Sequence, residues 1–274
     1  MNTNPLLGKV KLPGRVFNLP SKGMFYRPGE VLAENIKDGE IQVKPMSALA
    51  ELKMRSADLL MSGKVLGEVC AECVPEILHP EKLVTKDVDA LFAFLVISTY
   101  GSTKDIKSIH ECENAKVHDY SVSLDPIVGD PHNQVLEHKD LIYSVEISTG
   151  QRVVLKPVTF TDSLELLSLR QEIGRIEMAG SQVSSALIEK MVINDLLCVI
   201  DAVEDESIQL RVTDRAMITE WLRELGSKDT TKIVEAANKT ADWGFDFGVK
   251  IKCKDCGAEY RHGLELNPIN FFSG

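Results

Sequence analysis

The sequence lacks the charge pattern of a protein that binds nucleic acid nonspecifically. Its 31 Lys and Arg residues are outnumbered by 41 Asp and Glu residues, which gives a formal net charge of -10. An acidic chain is repelled by phosphate backbones, and no local basic face stands out. The chain also has no charged-then-apolar pattern at its beginning, so we expect it to be made in the cytoplasm.

Long hydrophobic runs are absent as well. The longest uninterrupted apolar run contains Leu91 to Ile97 and begins at Ala90, and it is far short of the roughly 20 residues that a membrane span needs. We therefore expect no membrane partner. The six cysteines are expected to lie in a reducing compartment, so they are thiols or metal ligands rather than a disulfide framework. Cys70, Cys73 and Cys198 fall in apolar helical patterns and are predicted to be core thiols.

Complete catalytic motifs are also missing. His110-Glu111-Cys112-Glu113-Asn114 begins like a zincin helix, but Asn114 stands where the second histidine is required. Asp246-Phe247-Gly248 matches a kinase triplet without the glycine-rich and catalytic loops that accompany it. Ser62-Gly63-Lys64 lacks the upstream glycine and the downstream Ser or Thr of a phosphate-binding loop. We therefore predict that the chain is not an enzyme and has no small-molecule substrate.

Near its end, the sequence contains a pair of cysteines, Cys253-Lys254-Asp255-Cys256, followed by Gly257. This spacing indicates a tight turn that points both sulfurs inward, which is a metal-binding knuckle. An upstream segment, Cys112-Glu113-Asn114-Ala115, echoes it. Each segment continues with a tyrosine, an alternating strand and Leu-Asp/Asn-Pro-Ile, but Ala115 stands where a fourth cysteine is expected.

Two knuckles in one chain commonly meet around a single zinc ion, so the sequence predicts a structural zinc site. The predicted ligands are Cys112, Cys253, Cys256 and His110. His110 is the first choice for the fourth ligand because it lies beside Cys112 on the same predicted strand face, and His118 and His262 are alternatives. The competing interpretation is that the metal was lost with the cysteine missing at Ala115, which leaves two packed thiols in the C-terminal turn.

The pattern of apolar residues predicts an α+β fold that is rich in helices, with β-hairpins and the two zinc-ribbon-like knuckles. Asp38-Gly39, between the apolar segments 31–36 and 41–44, is a strong hairpin signal. A second echo relates Ile41–Ser47 to Val153–Thr159, because each segment ends a strand in Lys-Pro just before a capped helix. An internal duplication explains both echoes. The alternative is that strand-to-helix junctions share Pro and Ser/Thr for local chemical reasons.

These two internal sequence similarities predict that the chain divides into two halves. Residues 1–134 would hold a hairpin, a helical block and the first knuckle. Residues 135–274 would hold the second hairpin, a second helical block and the C-terminal knuckle. The two halves are expected to form either two domains or a single one.

Several short motifs carry a resemblance to a known family. They are Leu19-Pro20-Ser21-Lys22-Gly23 with Tyr26, Val43-Lys44-Pro45, Tyr100-Gly101-Ser102, the two knuckles and Phe271-Phe272. Together they are similar to the baseplate hub subunit and hub assembly proteins of T-even-type contractile-tailed bacteriophages. Members of that family carry paired cysteines at the first knuckle, and Ala115 departs from that pattern.

The resemblance implies a noncatalytic role in virion assembly, as a structural subunit or as a chaperone absent from the finished particle. Its partners would be other hub or tail proteins, bound through protein–protein contacts. Its location would be the host cytoplasm during assembly or the tail baseplate of the virion. A zinc-ribbon adaptor in phage transcription or replication is the alternative, motivated by the knuckles alone.

Overall fold

The computed structural model has the predicted α+β architecture. It describes residues 13–56, 63–112, 116–129, 144–241 and 243–264. Within these ranges there are eight α-helices and ten β-strands, and all the strand pairs are antiparallel. None of the helices described is long and apolar enough to cross a membrane.

The elements are numbered here in chain order. They are β1 (Arg15–Asn18), β2 (Glu40–Val43), α1 (Ala48–Met54), α2 (Lys64–Cys73), α3 (Thr85–Tyr100), β3 (Thr103–Ile109), β4 (Val117–Ser123), α4 (Asp125–Gly129), β5 (Ser144–Glu146), β6 (Arg152–Leu155), α5 (Phe160–Met178), α6 (Ser185–Val199), β7 (Ile200–Asp205), β8 (Leu210–Val212), α7 (Arg215–Glu224), α8 (Ser227–Thr240), β9 (Gly248–Lys252) and β10 (Glu259–Gly263). Strands β5 to β8 form one four-stranded sheet, and β1–β2, β3–β4 and β9–β10 form three two-stranded sheets.

The chain divides into two compact units. The first consists of Met1–Pro80, Lys86–Val135 and Gly244–Gly274, and the second consists of Glu81–Thr85 and Leu136–Trp243. The C-terminal hairpin β9–β10 lies in the first unit, and the division into residues 1–134 and 135–274 stays a prediction.

Helix α3 provides much of the core of the first unit. From Val88 to Ile97 every residue except Asp89 is apolar, and all of these apolar side chains are buried. A helix that is hydrophobic all round is stable only when it is surrounded by other elements. Phe94 of α3 stacks on Phe17 of β1 with ring centroids 4.4 Å apart. This contact joins the helix to the N-terminal hairpin.

The second unit packs its helices against one face of the four-stranded sheet. Thr159 begins α5 with a complete capping box, in which Thr159 and Asp162 each accept a hydrogen bond from the other's backbone. The core side chains come from strands β6 and β7, from the residue that follows β5, and from helices α6, α7 and α8. They are Ile147, Val153, Leu155, Ile193, Leu196, Leu197, Ile200, Val203, Ile218, Leu222, Ile233 and Ala236.

The two units share one kind of contact, in which an aspartate accepts two hydrogen bonds from a serine. In the first unit, Asp87 in the first turn of α3 accepts hydrogen bonds from the backbone N–H and the hydroxyl of Ser21. In the second unit, Asp229 in the first turn of α8 accepts the same two bonds from Ser148. Both serines follow the first strand of a hairpin whose second strand ends in Lys-Pro. These matching contacts are what an internal duplication predicts.

The hairpin predicted around Asp38-Gly39 is correct in its turn and wrong in its partner strand. Asp38 and Gly39 both have positive φ angles, as a primed turn requires. However, residues 31–36 form no strand, and β2 pairs with β1 instead. Leu32 makes an isolated bridge to Ile77. The predictions that involve Ala115, Leu266-Asn267-Pro268-Ile269 and Phe271-Phe272 lie outside the described residues.

Candidate metal centre

Two β-hairpins of the first unit bring the predicted ligands together. His110 and Cys112 follow strand β3 at the end of the β3–β4 hairpin. Cys253 and Cys256 lie in the turn that joins β9 to β10. We call these four residues the His–Cys cluster. They come from segments more than 140 residues apart in the sequence, and the structure places them at one point.

The C-terminal turn has the backbone geometry that a pair of sulfur ligands needs. The N–H of Cys253 donates to the carbonyl of Ala258 over 2.8 Å, and the N–H of Gly257 donates to the carbonyl of Cys253 over 2.9 Å. Gly257 has a φ of +77°, a conformation that costs glycine little because it has no Cβ. The backbone thus forms a hydrogen-bonded tight turn that contains both cysteines, as the Cys-x-x-Cys-Gly spacing predicts.

The same turn favours the thiolate form of Cys253. Its sulfur accepts hydrogen bonds from the backbone N–H groups of Cys256 first and Asp255 next, and these lower the pKa of Cys253 from 9.0 to about 7. Hydrogen bonds to a charged form favour that form. A thiolate rather than a thiol is the species that binds a metal ion.

The spacing of the His–Cys cluster fits a tetrahedral ion. Its four candidate ligand atoms all lie within 4.8 Å of one another, and Cys256 Sγ is 3.4 Å from His110 Nδ1. Zinc bonds of about 2.3 Å to sulfur and 2.1 Å to nitrogen would put neighbouring ligand atoms roughly 3.6–3.8 Å apart. Movements of about an ångström would therefore bring all four donors into contact with one ion.

Burial differs among the four members of the cluster. Cys253 is only 3% exposed, whereas His110 and Cys112 are half-buried and Cys256 is exposed. The three sulfurs and one imidazole nitrogen are a soft donor set, which suits zinc better than magnesium or calcium. The residues present therefore fit a structural zinc ion.

The two alternative histidines have other partners. His118 Nε2 lies 2.8 Å from Asp255 Oδ2, and a hydrogen bond from His118 lowers the pKa of Asp255 below its ordinary value. His262 Nδ1 lies 2.9 Å from Ser108 Oγ. Neither side chain joins the His–Cys cluster. Both contacts link one hairpin to the other.

Further contacts hold the C-terminal turn against strand β4. The Lys254 ammonium donates to the carbonyl of Asp119 over 2.5 Å and lies 5.0 Å from the ring centroid of Tyr120. A cation over an aromatic face is attracted by the ring quadrupole. The hairpins are therefore joined by ordinary polar contacts as well as by the four candidate ligands.

The other three cysteines are core thiols, as predicted. Cys70 and Cys73 are fully buried on α2, and Cys198 is 1% exposed on α6. Burial raises the pKa of Cys73 to about 12 and that of Cys198 to about 11. It also raises the pKa of Cys70 well above its ordinary value. Buried thiols of this kind are inert.

Sequence reasoning missed the side chains that surround His110. Tyr260 packs against its imidazole, with ring centroids 4.7 Å apart and planes tilted by 31°. The Tyr260 hydroxyl donates to Ser108 Oγ over 2.9 Å. The signal was present, because a tyrosine follows both cysteine segments, at Tyr120 and at Tyr260. The pattern could not show which of these tyrosines touches the histidine.

The fold and the cluster define a class: an α+β protein whose two hairpins carry a candidate structural metal centre with four protein donors. A family model described as T4 bacteriophage base plate protein matches residues 29–273. The chain therefore belongs to that family, as the motif resemblance predicted. No curated protein and no solved structure matches the chain.

Proposed function

We propose that this baseplate protein belongs to the central hub of the phage tail baseplate, where it acts without catalysis through contacts with other hub or tail proteins. It would be either a structural subunit or an assembly chaperone. The family match over residues 29–273 is the observation that carries the baseplate part of this proposal. The hub part is supported by the short motifs that resemble hub proteins. Assembly would take place in the host cytoplasm.

One of those motifs has a defined structural role. The segment Leu19-Pro20-Ser21-Lys22-Gly23 follows β1, and Asp87 holds it through Ser21. The hydroxyl of Tyr26 also donates to Asp87, over 2.6 Å. The motif residues therefore fix the shape of one loop, which is the kind of rigid surface that a protein–protein contact needs.

We further propose that the His–Cys cluster holds a structural zinc ion. Four protein donors complete a tetrahedral coordination sphere, whereas catalytic zinc sites keep a position open for water or substrate. A bound ion would fix the β3–β4 hairpin to the β9–β10 hairpin. This arrangement supports a noncatalytic role for the centre.

Elemental analysis tests the metal proposal. Protein purified under reducing conditions without chelator should contain about one zinc ion per chain. Cys253→Ser should lose that zinc and destabilise the fold, because binding free energy is folding free energy at a structural site. The matched control is Cys73→Ala, which changes a buried core thiol outside the cluster and should keep the zinc. A zinc content near zero in the unmodified protein rejects the site.

Co-purification tests the hub proposal. Tagged protein recovered from infected cells should bring tail or hub proteins with it, and recovery without any tail protein contradicts the proposal. Mature particles that contain the chain would identify a subunit, and particles without it would identify a chaperone. Salt-sensitive binding to DNA or RNA would instead support the zinc-ribbon adaptor.

A further inference from the structure

We propose that His110 would bind the ion through Nδ1 rather than Nε2, and that Tyr260 is the positioning residue that sets this choice. The inference rests on the zinc site proposed above and adds the ligating atom and the side chain that orients it. It is carried by the contacts around His110, all of which lie in the first unit.

The imidazole of His110 turns one particular nitrogen toward Cys256. His110 Nδ1 lies 3.4 Å from Cys256 Sγ, close to the separation of about 3.6 Å expected for nitrogen and sulfur on one tetrahedral zinc ion. The two nitrogens of an imidazole are chemically distinct and point in different directions, so one of them can face the cluster while the other faces away. The nitrogen that faces the Cys256 sulfur is Nδ1.

An aromatic contact with Tyr260 holds the imidazole in this orientation. The ring of Tyr260 covers one face of the His110 ring, with centroids 4.7 Å apart and a tilt of 31°. Such a contact restricts rotation of the imidazole about its side-chain bonds. Binding through Nε2 would require that atom to move to the position that Nδ1 occupies beside Cys256, and the whole imidazole would have to shift relative to Tyr260.

Two hydrogen-bond contacts in series fix the position of Tyr260. Its hydroxyl donates to Ser108 Oγ over 2.9 Å, and Ser108 Oγ lies 2.9 Å from His262 Nδ1. Ser108 Oγ therefore links the side chains of Tyr260 and His262. Ser108 is only 5% exposed, and a buried hydrogen-bond network of this kind specifies one arrangement.

Strand periodicity explains why these four side chains meet. Side chains two residues apart in a strand share a face. Ser108 and His110 therefore lie on one face of β3 and its continuation, and Tyr260 and His262 lie on one face of β10. The hydrogen bonds between Ser108 and both β10 residues show that these two faces are in contact.

Nitrogen NMR of the zinc-loaded full chain tests the proposal directly. In a long-range proton–nitrogen correlation spectrum, with the His110 signals assigned by their loss in His110→Ala, we expect Nδ1 to be the metal-bound nitrogen and Nε2 to carry the proton. The reverse pattern would overturn this inference while leaving the zinc site intact. Wild-type protein that binds no zinc would overturn both proposals.

Two substitutions test the role of Tyr260. Tyr260→Phe keeps the ring and loses the bond to Ser108, so it should keep the Nδ1 pattern and weaken zinc binding several-fold. Tyr260→Leu removes the ring and should weaken binding by about 10–100-fold, as is typical for residues that orient a metal ligand. Tyr100→Leu, at a side chain that is 51% exposed on α3, is the matched control. Unchanged affinity in Tyr260→Leu would overturn the positioning role.

Discussion

Replacing Asp87 by asparagine should remove a pH dependence from the free energy of unfolding of this protein. The Asp87 carboxylate has no exposed surface and accepts hydrogen bonds from Ser21 and Tyr26. Burial raises the pKa of Asp87 from 3.8 to about 6, and the hydrogen bonds oppose part of that rise. The folded protein therefore holds a proton at Asp87 under conditions in which the unfolded chain has lost it.

The sign and size of the effect follow from this difference. Because the folded pKa lies above the unfolded one, the stabilisation is fully present below about pH 4 and is lost as the pH rises through about 6. The difference between 3.8 and about 6 corresponds to about 3 kcal/mol at most. About 2 kcal/mol of this change falls between pH 4.5 and pH 7.

Urea unfolding of both proteins at several pH values measures the effect. Asparagine does not titrate, and its amide can still accept from the Ser21 N–H and donate to a hydroxyl. The unfolding free energy of the wild type minus that of Asp87→Asn should therefore fall by about 2 kcal/mol from pH 4.5 to pH 7. Other titrating groups cancel in this difference. A difference that stays constant with pH would refute the reasoning.

The pKa of Asp229 is shifted in the opposite direction to that of Asp87, so its contribution to stability should change with pH in the opposite sense. Hydrogen bonds from the hydroxyl and the backbone N–H of Ser148 lower the pKa of Asp229 below its ordinary value. Its stabilisation is present at neutral pH and is lost as the pH falls through the folded pKa. Asp229→Asn should therefore lose stability relative to the wild type mainly at neutral pH. The same trend with pH in both variants would contradict this account of the two aspartates.

Three further predictions concern the metal centre and the repeated contact. A strong chelator should lower the melting temperature in a thermal scan of the wild type, and it should leave the melting temperature of Cys253→Ser unchanged because that variant has no zinc to lose. Gly257→Ala should destabilise the protein by about 1 kcal/mol in urea and weaken zinc binding in a competition assay, because Gly257 has a φ of +77°. Ser148→Ala should lower the free energy of unfolding in urea, because it removes the hydroxyl that donates to the Asp229 carboxylate.

Much of the candidate site could be predicted from the sequence because the geometry within each pair of candidate ligands is local. The Cys253–Gly257 spacing specifies a tight turn through the conformational freedom of one glycine. The choice of His110 as fourth ligand also followed from a local rule, since His110 and Cys112 are two residues apart in an extended segment. The structure brings these residues together, and their role as zinc ligands stays a proposal.

The sequence did not predict which strands and side chains meet when they lie far apart along the chain. The turn at Asp38-Gly39 forms as expected, but β2 pairs with β1 across a loop of about twenty residues. Turn chemistry depends on a few neighbouring dihedral angles, whereas the choice of partner strand depends on what the whole unit buries. The same limit applies to Tyr260, whose neighbour His110 lies 150 positions away in the sequence.

The duplication and the His–Cys cluster lead to one conclusion about how the chain is held together. Asp87 lies 25 residues before Cys112, and Asp229 lies 24 residues before Cys253, so each repeat of the proposed duplication brings two candidate ligands to the cluster. Two donors from one repeat cannot complete a tetrahedral sphere. An ion would therefore close a loop of about 140 residues, which on the scale used for disulfides is worth about 5 kcal/mol of chain entropy. Most of the second unit, Leu136–Trp243, lies within that loop in the sequence, so the ion would tie the chain back to the first unit after that segment.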